Sequence, residues 1–320
     1  LKRKFFYWLT ISNFLYIIIL LILAGIAIAS LTGDNGLFAR ANQARQNTLD
    51  AQNKENATLQ GYEDAIDYAV DGVIKISGVN SSITDPEAAM PTGATVIQGN
   101  ANEGIVIRDE KGNEWVWVEV PKTTDVYSPT TLSSIVDLDN ISDDQCTTIY
   151  NDLAEYAKAY RDSNYSDTFY STEQHGFKNA TEYNTSKNNM LRSVYKNGGF
   201  WIGRYEVGIE NSYRNYETDY TTEHPITETP VIKANAYPYN YVRCSQAQTL
   251  SQQLSTGGKT SSLMFGIQWD LTCKFLETKG GLKQEQIKTD SKEWGNYSNS
   301  SIILSQGKYN TNPSNLSIQW

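Results

Sequence analysis

Cysteine and histidine are scarce in this chain of 320 residues. Three cysteines, Cys146, Cys244 and Cys273, are too few for a disulfide framework. Two readings stay open for them: a single Cys244–Cys273 bridge with Cys146 left over, or three buried free thiols. The two histidines, His175 and His224, stand apart among polar residues. With no Cys-x-x-Cys and no His-x-x-x-His pair, the usual zinc arrangements are excluded. A basic stripe is also missing beyond the N-terminus. With 27 basic against 36 acidic side chains, a net charge of -9, no nucleic-acid partner is expected. No internal repeat is visible.

Formal charge is absent from Phe5 to Gly33, a run of 29 residues preceded by Lys2-Arg3-Lys4. A bilayer core about 30 Å thick needs roughly 20 apolar residues in a helix, and this run supplies them. The expectation is a single-pass membrane anchor over residues 1–33, with residues 5–31 in the lipid bilayer. The basic cluster keeps its start cytoplasmic and sends the remainder outward. A cleaved signal peptide is the competing reading, since basic, apolar and small residues come in that order.

Beyond Gly33 the chain turns polar. Thr32-Gly33-Asp34-Asn35-Gly36 interrupts the apolar run, and helical character resumes from Leu37 to Tyr68, where proline is absent. Residues 34–72 are therefore expected to form a polar helical stalk. Leu37, Ala41, Ala44, Thr48 and Ala51 make a weak stripe on it that needs a neighbour. Residues 73–103, with Pro86 and Pro91, read as a linker, and residues 104–320 hold the globular part. There, Gly104 to Pro121 predicts a β-hairpin: two β-rich runs flank a turn of Asp109, Lys111, Gly112 and Asn113. A further strand is expected at 199–208, and helices at 146–161, 245–254 and 266–277, with Ser245 as a cap. Residues 122–190 otherwise read as long loops, and the final forty residues contain no core segment. Asn-x-Ser/Thr triplets at Asn80, Asn140, Asn164, Asn179 and Asn315 are explained by composition.

The 21 tyrosines and 7 tryptophans are a high aromatic load for so polar a chain. Buried, such rings anchor a core; exposed, they make binding surfaces at low entropic cost. Trp115, Trp117, Trp201 and Trp269 are assigned to the core. Arg204 and Glu206 share one strand face and are read as a structural ion pair. His175 is read as a solvated loop residue. No catalytic, cofactor-binding or metal-binding residue is assigned.

Two resemblances add to this. The run Ile19-Leu20-Leu21-Ile22-Leu23-Ala24-Gly25-Ile26-Ala27-Ile28, followed by Leu31-Thr32-Gly33-Asp34-Asn35-Gly36-Leu37-Phe38, resembles the N-terminal helix of type IV pilin-like proteins of Firmicutes. That resemblance implies other pilin-like subunits as possible partners. Tyr7 and Ser12 stand where that family has its processing glycine and its assembly glutamate. The second resemblance runs from about 105 to 275. Glu114-Trp115-Val116-Trp117-Val118-Glu119-Val120-Pro121, Gly199-Phe200-Trp201-Ile202-Gly203-Arg204-Tyr205-Glu206-Val207, the stretch Val242 to Ser255 and the run Ser262 to Asp270 look like successive pieces of the formylglycine-generating, sulfatase-modifying family. It implies an irregular, C-type-lectin-like α+β fold, C-terminally incomplete because that family's later motifs are missing.

The fold expected is therefore α+β, a long transmembrane or pilin-type helix followed by a C-type-lectin-like domain. The function expected is non-enzymatic: a surface-displayed, bacterial, membrane-anchored protein binding or adhering to an unknown extracellular ligand, without a cofactor. The alternatives are an enzyme of the sulfatase-modifying type and a structural subunit of a surface filament.

Overall fold

In a computed structural model the structure describes helical positions 40–41, 43–45, 47–48, 51–52 and 55, and residues 74–288 apart from 103, 162–165 and 217–221. The chain divides into two compact units, Leu1–Gly61 and Tyr62–Trp320, each taken by itself. In the first, every described position is helical and exposed. The Thr48 hydroxyl donates to the Ala44 carbonyl at 2.8 Å, the back-bond a helical threonine makes one turn earlier.

The second unit is an α+β fold. Its order is α1 (Pro86–Ala89), β1 (Thr95–Asn100), β2 (Gly104–Arg108), β3 (Glu114–Glu119), α2 (Pro129–Ser134), α3 (Asp143–Tyr156), a 3-10 turn (Lys158–Tyr160), α4 (Thr172–His175), α5 (Ala180–Asn197), β4 (Gly199–Gly203), β5 (Gly208–Ile209), β6 (Tyr237–Pro238), α6 (Cys244–Gln253), α7 (Gly266–Thr278) and α8 (Gln284–Lys288). Strands β1 to β4 form one antiparallel sheet in sequence order, and β5 and β6 pair separately. Between β3 and β4 the chain makes a long excursion through α2 to α5.

Period-two alternation divides the sheet between two cores. Ile105, Ile107, Trp115 and Trp117 face one way and pack with Ala89, Ile232 and Leu254. Val118 and Phe200 face the other way, against Ile149 and Leu153 of α3, Leu191, Val194 and Tyr195 of α5, and Ile267 and Leu271 of α7. The register sets Trp117 opposite Trp201, with ring centroids 5.0 Å apart.

The hairpin joining β2 to β3 closes around one carboxylate. Asp109 is buried and accepts the backbone N–H groups of Lys111 and Asn113, each at 2.9 Å, the Asn113 amide at 3.0 Å and the Trp115 indole N–H at 3.1 Å. Asn113 then accepts the Ile232 N–H at 2.8 Å, which ties the turn to the tryptophan-lined core. The turn residues therefore organise a distant segment as well as reversing the chain.

The helices begin and end on identifiable residues. Ser142 and Gln145 form a reciprocal capping box at the start of α3. Asn179 caps α5, and Gly198 ends it at φ 69°, where a Cβ would meet the Ile83 carbonyl oxygen at 2.2 Å. Two lysines donate to carbonyls in the last turns of helices: Lys122 to Lys196 O at 3.0 Å, and Lys259 to Ala88 O at 2.9 Å.

Several expectations need correction. Among the described residues no helix is long and apolar enough to cross a membrane, which overturns the transmembrane architecture and the single-pass membrane location built on it. The longest helix among the described residues of the second unit, α5, spans 18 residues and carries Glu182, Lys187, Arg192 and Lys196. The apolar run at 5–31 lies outside the described residues, as do most of the 34–72 stalk and the final residues 289–320. Among its described residues the stretch 122–190 holds three α-helices, α2, α3 and α4, and the start of a fourth, α5, where mostly loops were expected. Helix α6 is capped at Arg243, so Ser245 lies inside the helix. The segment 73–103 contains α1 and strand β1.

Replacing Asp109 with alanine strips the acceptor from four donors, three of them on the buried residues Asn113 and Trp115. Urea unfolding of Asp109→Ala is expected to show a loss of about 2–4 kcal/mol, the cost of buried groups left unpaired.

Candidate binding face

A charged cluster lies inside the second unit, and it fixes where the exposed aromatic rings stand. Asp167 lies in the segment between the 3-10 turn and α4 and is buried. Its carboxylate accepts the Gly266 N–H at 3.0 Å and the Ile267 N–H at 2.9 Å, so a residue about 100 positions away caps helix α7. Arg161 contacts the same carboxylate at 3.2 Å and Asp270, one turn into α7, at 2.6 Å. The Tyr150 hydroxyl of α3 receives a further bond from Arg161. Lys187 of α5 donates to the Asp167 carbonyl at 2.8 Å. One aspartate thus joins the 161–167 segment, α3, α5 and α7.

The charges of this cluster compensate one another internally. Burial opposes the Arg161 charge, but the Tyr150 hydroxyl and Asp270 outweigh it and hold the guanidinium above its ordinary range. Burial pushes the Asp270 carboxyl upward against the pull of Arg161, and the like charge of neighbouring Asp167 adds to the rise. Burial also lowers Lys187.

Two exposed rings flank this lock. Tyr170 is three residues beyond Asp167, within roughly 10 Å of chain, and is 61% exposed. Trp269 is two residues beyond Ile267, about 3 Å along the helix axis, and is also 61% exposed. The placement of Trp269 corrects its assignment to the core: Ile267, Asp270 and Leu271 form the buried face of α7, and Trp269 lies off it. Trp115 and Trp117 are buried and Trp201 is partly buried against Trp117.

One face of Tyr170 is covered. His175 lies parallel to it, 8° between planes and 5.5 Å between centroids. Phe169 and Tyr183 touch His175 in turn, at 5.5 and 4.9 Å, and Tyr183 packs on Phe265 just before α7. His175 is therefore half-buried within a ring cluster, a correction to its reading as a solvated loop residue.

A second group of rings gathers around Arg214. This side chain is buried and donates to the carbonyls of Asn240, at 3.1 Å, and Pro225, at 2.6 Å, and to the Glu228 carboxylate at 2.8 Å. Tyr216 and Tyr239 lie against its guanidinium at 5.2 and 5.1 Å. Tyr216 stacks on His224 at 3.7 Å, and half-exposed Tyr213 leans on Tyr237. Burial, followed by the Glu228 contact, pushes the Tyr239 hydroxyl up to about 12. Helix α6 starts between the two ring groups: the Cys244 thiol meets the Gln174 carbonyl at 2.8 Å, and Gln246 donates to the His224 carbonyl at 2.6 Å.

Arg204 is paired with Glu114 at 2.9 Å, and Arg108 reaches the same carboxylate at 2.7 Å. The expected Arg204–Glu206 pair is not formed, because the strand ends at Gly203 and the chain bends before Glu206. The Cys244–Cys273 bridge is not formed either, and all three cysteines are free thiols. Burial raises Cys146 and Cys244, and burial with Asp270 beside it pushes Cys273 up to about 11. Among the described residues no group of three or more His, Cys, Asp or Glu side chains is placed to hold a metal ion.

No family model, curated protein or solved structure matches the chain.

Thiol counting checks this arrangement. In native buffer Cys244 is expected to react slowly and Cys146 and Cys273 not at all within the same interval. All three should titrate at once in denaturant.

Proposed function

We propose that the second unit is a binding domain that works by recognition rather than by catalysis, with Tyr170 and Trp269 as its principal contact residues. The observation that carries this reading is the tie between exposure and rigidity. Both rings are exposed, and both stand on segments clamped by the single carboxylate of Asp167. Rigid aromatic side chains of this kind give large contact area for little lost rotamer freedom. The half-exposed Tyr213, on the segment organised by buried Arg214, extends the same chemistry.

The thiols suit recognition better than reaction. A nucleophilic cysteine needs an accessible thiolate. Here burial holds all three thiols in their protonated form, and they lie on three different helices, α3, α6 and α7. The charged groups nearest the rings are consumed in the lock that supports them. Binding or adhesion through stacked rings and neighbouring hydroxyl and amide groups is the activity this leaves.

The test is a binding screen of the full chain against immobilised purified glycans and synthetic peptides, repeated with Tyr170→Ala and Trp269→Ala. Whatever binds the parent is expected to lose about 30-fold or more in affinity with each variant, as for a contact hot spot. Thermal stability should hold, since both rings are exposed. Val136→Ala, an exposed apolar residue elsewhere, should leave binding unchanged. Full affinity in both aromatic variants contradicts the proposal.

A further inference from the structure

His175 makes two hydrogen bonds through one nitrogen that cannot both persist. Its Nδ1 lies 3.3 Å from the Tyr170 backbone nitrogen and 3.3 Å from the Ser171 carbonyl oxygen. A bare Nδ1 accepts the Tyr170 N–H. An Nδ1 that carries hydrogen donates to Ser171 O and leaves the Tyr170 N–H facing another N–H. Imidazole is the side chain that changes charge between about pH 5 and pH 8, and its charged form carries hydrogen on both nitrogens.

We infer that His175 is a proton-operated catch on the Tyr170 contact ring: neutral, it fastens the Tyr170 backbone; protonated, it transfers that hydrogen bond to Ser171 and releases it. The inference rests on the reading of Tyr170 as a contact residue and supplies its regulation.

The surroundings are built for this exchange. Helix α4 is a single turn, Thr172–His175, closed by Gly176 at φ 70°, so the whole element that carries the imidazole is short. The ring is held on its sides by Phe169, Tyr170 and Tyr183, none of which supplies a charge. From α5, Lys187 lies beyond the Tyr183 ring at 5.6 Å and is engaged with the Asp167 carbonyl. From α6, the Cys244 thiol meets the carbonyl of Gln174, the residue before the histidine. On protonation the parallel stack persists, because a cation is attracted to an aromatic face. What changes is the backbone under Tyr170, and through it the freedom of the ring to hold one orientation.

Amide exchange and proton NMR on the full chain decide this. As pH is lowered through the change in the His175 ring signals, exchange at the Tyr170 N–H, corrected for its intrinsic pH dependence, is expected to rise about 2- to 10-fold, the worth of one hydrogen bond. Its midpoint should coincide with the titration of the His175 ring signals. In His175→Phe, which keeps a stacked ring without a titrating nitrogen, the Tyr170 amide should show no such step. If that variant does not fold, coincidence of the two wild-type titrations still decides. A Tyr170 amide whose protection stays constant while His175 titrates overturns the inference. That failure is separate from a failure of the binding proposal, because loss of affinity in Tyr170→Ala is measured at one pH and does not involve His175.

Discussion

A carboxylate placed at the start of a helix it does not belong to is the constraint on which this unit depends. Asp167 caps α7, pairs with Arg161 and anchors residues 166–171, which have no regular structure of their own. An ion pair inside a protein is not free stability, since removing both charges from water costs several kcal/mol per ion. Here the cost is offset by geometry: two backbone N–H groups and the Tyr150 hydroxyl share the Asp167 carboxylate with the arginine. The return is specificity of position. The segment with Tyr170 and the first turn of α7 with Trp269 are fastened to the same point, so two exposed rings are displayed from a fixed base.

Arg214 plays a parallel part for the described residues around Pro225, Glu228 and Asn240. Its planar fork suits several carbonyls at once, and it adds to the short β5–β6 ladder by holding the Pro225 and Asn240 carbonyls. Tyrosine rings cover its faces, and one of them, Tyr239, belongs to a small apolar cluster with Ile209 and Leu250. A chain rich in tyrosine and poor in aliphatic residues can in this way order irregular segments. Part of the aromatic load therefore serves structure, and the exposed remainder is left for contact.

Local signals were legible in the sequence where they were self-contained. The hairpin at 104–121 is present because turn residues and β-rich runs lie within one short window. The strand from Gly199 and the helices at 244–253 and 266–278 follow from apolar spacing. Helix α5 was missed because its apolar positions, Tyr183, Leu191, Val194 and Tyr195, are sparse among polar residues; the cap Asn179 and the Gly198-Gly199 stop were the available cues. Trp269 was assigned to the core because it lies within a regular element, although Ile267, Leu271 and Phe275 already defined a helix face that excludes it. The candidate face was not legible. It depends on Asp167 meeting residues 266 and 267, and on His175 meeting Tyr183, contacts that no pattern within either segment announces.

The most direct test of the account is urea unfolding of Asp167→Ala. If one carboxylate holds both ring-bearing segments, the variant loses about 3–5 kcal/mol, the cost of breaking a buried ion pair from one side. A loss within about 0.5 kcal/mol, as for an ordinary surface substitution, contradicts the claim that the rest of the face is built on it.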